Sequence, residues 1–309
     1  MTAMPPATAP DALVAVRSLR KTFRLPGARG YRRQNLVAVG GVDFTVARGG
    51  SLGIVGESGS GKTTIARMVS GLERPTSGTI TVASRDRSVP ARRRAERERR
   101  GRELQIVFQD PYTSLDPRQK VNACIDEVLQ IHLRLDKVER RRRTLELLEQ
   151  VGLDGGLGRS LPQNLSGGQR QRVAIARALA AEPLVLILDE AVSALDVSIQ
   201  AQVINLLNEI RERTGMTYVF ISHNLAVVRQ LTERTLVLQR GQVVEYGSTE
   251  QVIGRPEHDY TKRLLESVPG PGWEASRVRA RQTPPSDLET PVAWEERRTA
   301  AEIQRVPQE

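Results

Sequence analysis

The octet Gly56-Glu57-Ser58-Gly59-Ser60-Gly61-Lys62-Thr63 narrows what this chain can fold into more than any other stretch of its 309 residues. It follows the short apolar run 52–55 and precedes a segment of helical period, so a G-x-x-x-x-G-K-T spacing falls where a strand hands over to a helix. Glycine lets the backbone curl until successive N–H groups converge, and the helix start adds the positive end of its dipole; together they cradle phosphate. Lys62 would reach the β- and γ-phosphates of a nucleoside triphosphate. Thr63 would offer its hydroxyl to a Mg²⁺ ion bridging them.

Around this loop, short apolar runs alternate with helical stretches, the pattern of an α/β domain on a mainly parallel sheet. Run 52–55 ends in glycines, run 184–188 in Asp189 and Glu190, and run 217–221 in Ser222 and His223. Open sheets of this class bind ligands at the C-terminal edge of their strands, so the three junctions are expected to wall one site. Residues 196–213 carry Ile199, Val203, Leu206, Leu207 and Ile210 at helical spacing, and Thr214 and Gly215 end that helix. Between 121 and 151, Val121, Ile125, Val128 and Leu129 form one stripe, and Leu145, Leu148 and Val151 a second, which predicts a separate helical lobe.

Composition closes off several alternatives. Cys124 is the only cysteine, so neither an internal disulfide nor a multi-cysteine zinc or iron–sulfur site is expected. No long uncharged apolar run is available to span a bilayer. The first ten residues lack the basic start and apolar centre of a signal peptide, and 1–11 read as a frayed tail. From 269 to 309 prolines alternate with Arg and Glu and the apolar periodicity disappears, so a loosely ordered tail is expected there.

Asp189 and Glu190, at the end of a buried run, supply what phosphate chemistry needs beside the loop. One carboxylate faces the metal and the other polarises a water for in-line attack on the γ-phosphate. Taken alone, paired acids there would read as a helix cap. With the loop they indicate a nucleoside triphosphatase. A second anion cradle stands at Leu165-Ser166-Gly167-Gly168-Gln169, a Ser-Gly-Gly turn opening a small-residue helix through Ala181. With this segment the chain resembles the nucleotide-binding subunits of ATP-binding cassette (ABC) transporters, over roughly residues 12–268.

The resemblance implies a RecA-like P-loop NTPase core with an antiparallel β subdomain and an α-helical subdomain over about 112–165, all within a cassette of 12–254. It implies ATP and Mg²⁺ as cofactors, the nucleotide held by Gly56, Ser58, Gly59, Ser60, Gly61, Lys62, Thr63 and Thr64. Thr63, Gln109 and Asp189 would surround the metal, with Glu190 as catalytic base. Gln109 matches the glutamine loop, which contacts Mg²⁺ and attacking water and senses the membrane domains; His223 matches the switch histidine at the γ-phosphate. The other histidines, His132 and His258, read as structural or surface residues. Phe23 stands where an aromatic ring stacks on adenine, with Tyr31 a nearby competitor. Asp196, in Ser193-Ala194-Leu195-Asp196, matches the D-loop that links two sites, and alone would be a helix cap. Cassettes of this family pair head to tail, so Ser166, Gly167, Gly168 and Gln169 would close over the partner's nucleotide.

A finer likeness in 109–118, 189–207 and 256–265 points to the oligopeptide/dipeptide importer branch, which also includes nickel and glutathione uptake systems. Asp259 departs from the branch's usual proline, and one cysteine cannot build the C-terminal cysteine cluster of many members. The branch implies a second ABC ATPase subunit, identical or homologous, two transmembrane permeases and an extracytoplasmic solute-binding protein. It places the chain at the cytoplasmic face of a bacterial membrane and makes 255–268 a peptide-importer-type segment. Export, or a cytosolic nucleic-acid-associated ATPase, is the alternative. Nine arginines in 85–102 and four in a row at 140–143, within a formal net charge of +10, are what that last alternative would use. Asp86, Glu96 and Glu98 interrupt the first run and no aromatic residue interleaves it. Both runs therefore read as solvated faces, and no nucleic-acid partner is expected.

Overall fold

A computed structural model describes residues 12–25, 34–109 and 114–266; the expected tails at 1–11 and 269–309, Tyr31, and the stretch 110–113 lie outside the described residues. The chain begins with β1 (Ala12–Leu25) and β2 (Gln34–Ala47), an antiparallel pair in which Phe23 stands opposite Leu36. β3 (Ser51–Val55) then enters a second sheet and delivers the loop that opens α1 (Lys62–Ser70). β4 (Ser77–Val82) and β5 (Arg85–Asp86) return to the first sheet, whose order is β2-β1-β4-β5. Next come α2 (Arg94–Glu103), β6 (Leu104–Val107), α3 (Val121–Leu133), α4 (Lys137–Gln150) and α5 (Gly167–Leu179). β7 (Val185–Asp189), α6 (Val197–Thr214), β8 (Thr217–Ser222) and α7 (Leu225–Leu231) follow. β9 (Arg234–Gln239), β10 (Gln242–Ser248), α8 (Thr249–Gly254) and α9 (Asp259–Glu266) close the described chain.

The second sheet runs β10-β9-β3-β8-β7-β6, parallel from β9 to β6 with β10 antiparallel at one edge. β3, β7 and β8 are buried along their whole length because both faces of the sheet are covered. Leu52, Ile54, Ile187 and Ile221 cluster with Phe44, Ile65, Met68 and Ile80, from the first sheet and α1. Alternate residues Leu186, Leu188, Tyr218 and Phe220 cluster instead with Val173, Val203, Leu207 and Val228, from α5, α6 and α7. The strand that carries the phosphate-type loop is thus held from both sides.

The stretch 121–151 forms α3 and α4, and Val121, Ile125, Leu129, Leu147 and Leu148 share one buried cluster with Val173 of α5 and Leu186 of β7. One expected stripe residue is not on the buried face. Leu145 is 47% exposed, because the buried stripe of α4 and its end is Thr144, Leu147, Leu148 and Val151. Those four obey i, i+3, i+4, i+7, which leaves Leu145 one residue off the face.

Most arginines of the two basic runs are exposed, as expected, and many of them are also paired. Arg87 is buried and shares Glu103 with Arg85 and Arg99; Arg94 pairs with Glu98, Arg100 with Glu96 and Arg102 with Glu182. In the second run Arg140 meets Asp126, Arg142 lies between Glu139 and Glu146, and Arg143 reaches Glu146 and Glu182. A nucleic-acid phosphate would have to compete with these carboxylates for the paired arginines.

Candidate functional site

β3 lies between β9 and β8, with Val55 opposite Ser222, and β7 lies beside β8, with Asp189 opposite Ile221. The three strand ends therefore open on the same edge, and the loop 56–61, the acids and His223 share it. Gly56 is obligatory at the loop's root: its φ is +153°, and a Cβ there would lie 2.1 Å from the Leu238 carbonyl oxygen. The cleft above encloses about 710 Å³, and its walls include Phe23, Lys62, Thr63, Gln109, Glu190 and His223, together with Ser58, Gly59, Gly61 and Thr64. Gly56 and Ser60 are buried beneath it.

Lys62 is 4% exposed, and its Nζ donates to the Gly56 oxygen at 2.7 Å and the Glu57 oxygen at 2.8 Å. Burial lowers its pKa, while the nearby Glu190, Asp189 and Glu57 carboxylates oppose the shift. Thr63 Oγ1 donates to Asp189 Oδ1 at 3.2 Å. Burial raises the Asp189 pKa, against the Thr63 hydrogen bond, with the neighbouring Glu190 pushing it the same way as burial. Ser60 Oγ, buried within the loop, has no hydrogen-bond partner among the described residues.

Glu190 holds a φ of +50°, a left-handed conformation that a non-glycine residue adopts at a cost of about 1–3 kcal/mol. Its N–H donates to the Ile221 oxygen at 2.9 Å, and its own carbonyl accepts from the Ser193 N–H at 3.1 Å and hydroxyl at 2.9 Å. Backbone bonding on both sides enforces the strained turn. The turn swings the carboxylate toward the cleft, where Oε2 lies 3.3 Å from His223 Nδ1.

The second cradle is built differently. Ser166 caps α5: its Oγ accepts from Gln169 N–H at 3.2 Å, and Gln169 Oε1 accepts from Ser166 N–H at 2.9 Å, a reciprocal capping box. The N–H groups of Gly167 and Gly168, at the first two helical positions, have no acceptor inside the helix. Gly168 is fixed by packing, since a Cβ would meet Ile199 Cγ2 at 2.5 Å. None of these four residues, nor Asp196, lines the cleft. Asp196 occupies the N-cap position of α6 but its side chain makes no capping hydrogen bond, so a cap does not explain it.

The chain matches the family described as "ABC transporter" over residues 39–193, and the "Oligopeptide/dipeptide transporter, C-terminal region" over 244–302. It is 39% identical over 280 residues to the dipeptide transport ATP-binding protein DppF of Haemophilus influenzae, covering 88% of this chain and 84% of that one. The chain belongs to the ABC transporter family. The cassette is also 48% identical over 270 residues to the oligopeptide transport ATP-binding protein OppD of Mycobacterium tuberculosis, covering 86% of this chain but 44% of that protein's length. Among solved structures it resembles the ATP-binding cassette MJ0796, a dimer in a post-hydrolysis state bound to ADP and Pi, with a TM-score of 0.66 and 28% identity over 76% of this chain and 98% of that one.

Several residues of the cassette's cleft escaped the sequence reading. Leu36 and Ala38 line it beside Phe23, and Leu264 of α9 lines it from the C-terminal side. Leu36 was accessible only through the β1–β2 pairing, which sets it opposite Phe23. Nothing in a linear reading places α9 near the loop. His258 caps that helix, its Nδ1 accepting from Tyr260 N–H at 3.1 Å, and His132 is half-buried against Gly101, so both are structural in this fold.

Proposed function

We propose that this chain is the ATP-hydrolysing subunit of an importer for oligopeptides or dipeptides, acting as a dimer of cassettes. The observation that carries the reading is the pair of anion-type helix starts, of which only α1 opens on the chain's own cleft. A second cassette, identical or homologous, would bring its Ser166–Gly168 turn over this chain's loop, and this chain would do the same in return. The MJ0796 cassette, described as a dimer bound to ADP and Pi, supports pairing of two cassettes with nucleotide. Both relatives, described as peptide-transport ATP-binding proteins, and the C-terminal match support peptides as cargo.

Within the cleft, Lys62 would exchange two loop carbonyls for phosphate oxygens, and the Ser60 hydroxyl, with no partner among the described residues, would be a further donor. Thr63 Oγ1 and Asp189 Oδ1, with Gln109 lining the same cleft as Thr63, offer hard oxygen donors suited to Mg²⁺, which takes one or two carboxylates plus phosphate oxygens. Bound there, Mg²⁺ would neutralise phosphate charge. Glu190 would take the proton of the attacking water, with His223 orienting its carboxylate. Phe23 would stack on the base. The Phe23→Ala variant is expected to raise KM for ATP about tenfold, the scale of one base–aromatic stack, with little change in kcat; steady-state kinetics with ATP check it.

No helix among the described residues is long and apolar enough to cross a membrane, and the importer reading assigns the crossing to separate permeases. The proposed assembly adds two of them and an extracytoplasmic solute-binding protein, with the cassette on the cytoplasmic face, 12–254 as its core and the helices within 112–165 toward the permeases. Ser166→Arg tests the shared site. That variant should bind Mg-ATP to its own loop as before, yet lose nucleotide-driven dimerisation and about a hundredfold in turnover. Light scattering and equilibrium binding, done with its companion cassette if the pair is not identical, decide this. Unchanged dimerisation and turnover would reject the composite site. Uptake of a labelled tripeptide by cells whose chromosomal copy carries the Ser166→Arg change tests the cargo, and undiminished uptake counts against it.

A further inference from the structure

Tyr260 sits in α9, 203 residues from Glu57, yet its hydroxyl accepts the Glu57 N–H at 3.0 Å. That N–H belongs to the same peptide group as the Gly56 carbonyl, which accepts from Lys62 Nζ at 2.7 Å. One peptide plane at the root of the phosphate loop is therefore gripped at both ends, by a lysine at the start of α1 and by a phenol from the C-terminal helix. The grip matters because Gly56, with a φ of +153°, lacks the side chain that would otherwise restrict rotation of this peptide.

The phenol is itself rigidly mounted. Tyr260 is 2% exposed and Leu264, one turn further along, lines the nucleotide cleft. Glu245 of β10, 5% exposed, accepts the Glu257 N–H at 3.0 Å through Oε1 and the His258 N–H at 3.2 Å through Oε2, tying the approach to α9 onto the sheet edge. His258 then caps the helix. Asp259 stands at the first helical position, where proline is also well accommodated, so its departure from proline leaves the helix start intact.

We propose that Tyr260 is a positioning residue of the nucleotide site: its hydroxyl fixes the peptide joining Gly56 to Glu57, and goes on fixing it when Lys62 turns from the Gly56 carbonyl to phosphate, and so sets the loop's affinity for a nucleoside triphosphate. The proposal rests on the ATP-binding reading of the cleft. The Tyr260→Phe variant removes one oxygen and keeps the ring that fills the site. In the nucleotide-free protein, amide hydrogen exchange within 55–62 should accelerate. KM for Mg-ATP should rise about three- to tenfold, the range for one lost neutral hydrogen bond, with kcat within about twofold.

Tyr246→Phe is the control, because the Tyr246 hydroxyl is buried on β10 with no partner among the described residues. It should change neither quantity. Unchanged loop exchange and unchanged KM in Tyr260→Phe would overturn the proposal, as would equal effects from the two variants. Failure of the parent protein to bind Mg-ATP would instead reject the ATPase reading, while the exchange experiment would still decide whether the phenol holds the loop.

Discussion

Replacing Glu190 by glutamine is expected to slow ATP turnover by about a hundred- to ten-thousandfold, the contribution of a positioned general base, while Mg-ATP remains bound. The geometry separates the two functions. Among the described residues Glu190 makes no hydrogen bond to the loop that would hold the phosphates; its carboxylate faces His223 at 3.3 Å, and its backbone is held by Ile221 and Ser193. Glutamine has the same length and can keep a hydrogen bond to the histidine, so the strained turn at φ +50° and the cleft around it should persist. What disappears is the capacity to take a proton. Because a dimer held together by ATP opens only when ATP is cleaved, the same variant should accumulate as a nucleotide-bound dimer. Single-turnover hydrolysis and light scattering in the presence of Mg-ATP give both readouts. Turnover at the parental rate would mean that another group acts as base.

The parts of the site legible in the sequence are those whose chemistry and position are set by neighbours in the chain. The loop 56–63 and Asp189-Glu190 each lie at the end of a strand buried on both faces, so the apolar run announces the strand and the polar residues after it announce the edge. Period alone was less secure. On α4, leucines at 145, 147 and 148 allow more than one stripe, so the period admits Leu145, a residue one position from the buried face, and only packing against α3 and α5 selects among them. Arg87 looked like one more charge in a basic run; Glu103, sixteen residues on, is what permits it to be buried. Contacts at still longer range left no trace. Tyr260 was visible as part of a family-like segment, but its bond to Glu57 depends on how β10 and α9 fold back over the loop.

Lys62→Met should lower Mg-ATP affinity by at least about a hundredfold and turnover with it, since the ammonium is the only side chain of the loop that brings full positive charge to the phosphates. The effect on the empty fold is a contest of opposite terms. Burial lowers the Lys62 pKa below its unfolded value, so the unfolded chain holds the proton more tightly and the charged lysine opposes folding at neutral pH. That penalty is fully present below the folded-state pKa and is relieved as pH rises toward the unfolded value. Methionine, of similar length and uncharged, removes it. Against this, the carbonyls of Gly56 and Glu57 each lose a donor, a loss of about 1 kcal/mol apiece. The opposed terms leave the melting temperature of the nucleotide-free variant within a few degrees of the parent, where about 1 kcal/mol corresponds to roughly 2–4 °C in a domain of this size. Calorimetry with and without Mg-ATP measures both: the parent should be stabilised by the nucleotide and the variant should not. A variant stabilised by Mg-ATP as much as the parent would remove Lys62 from the site, whereas one that melts far below the parent without nucleotide would make the lysine a structural residue first.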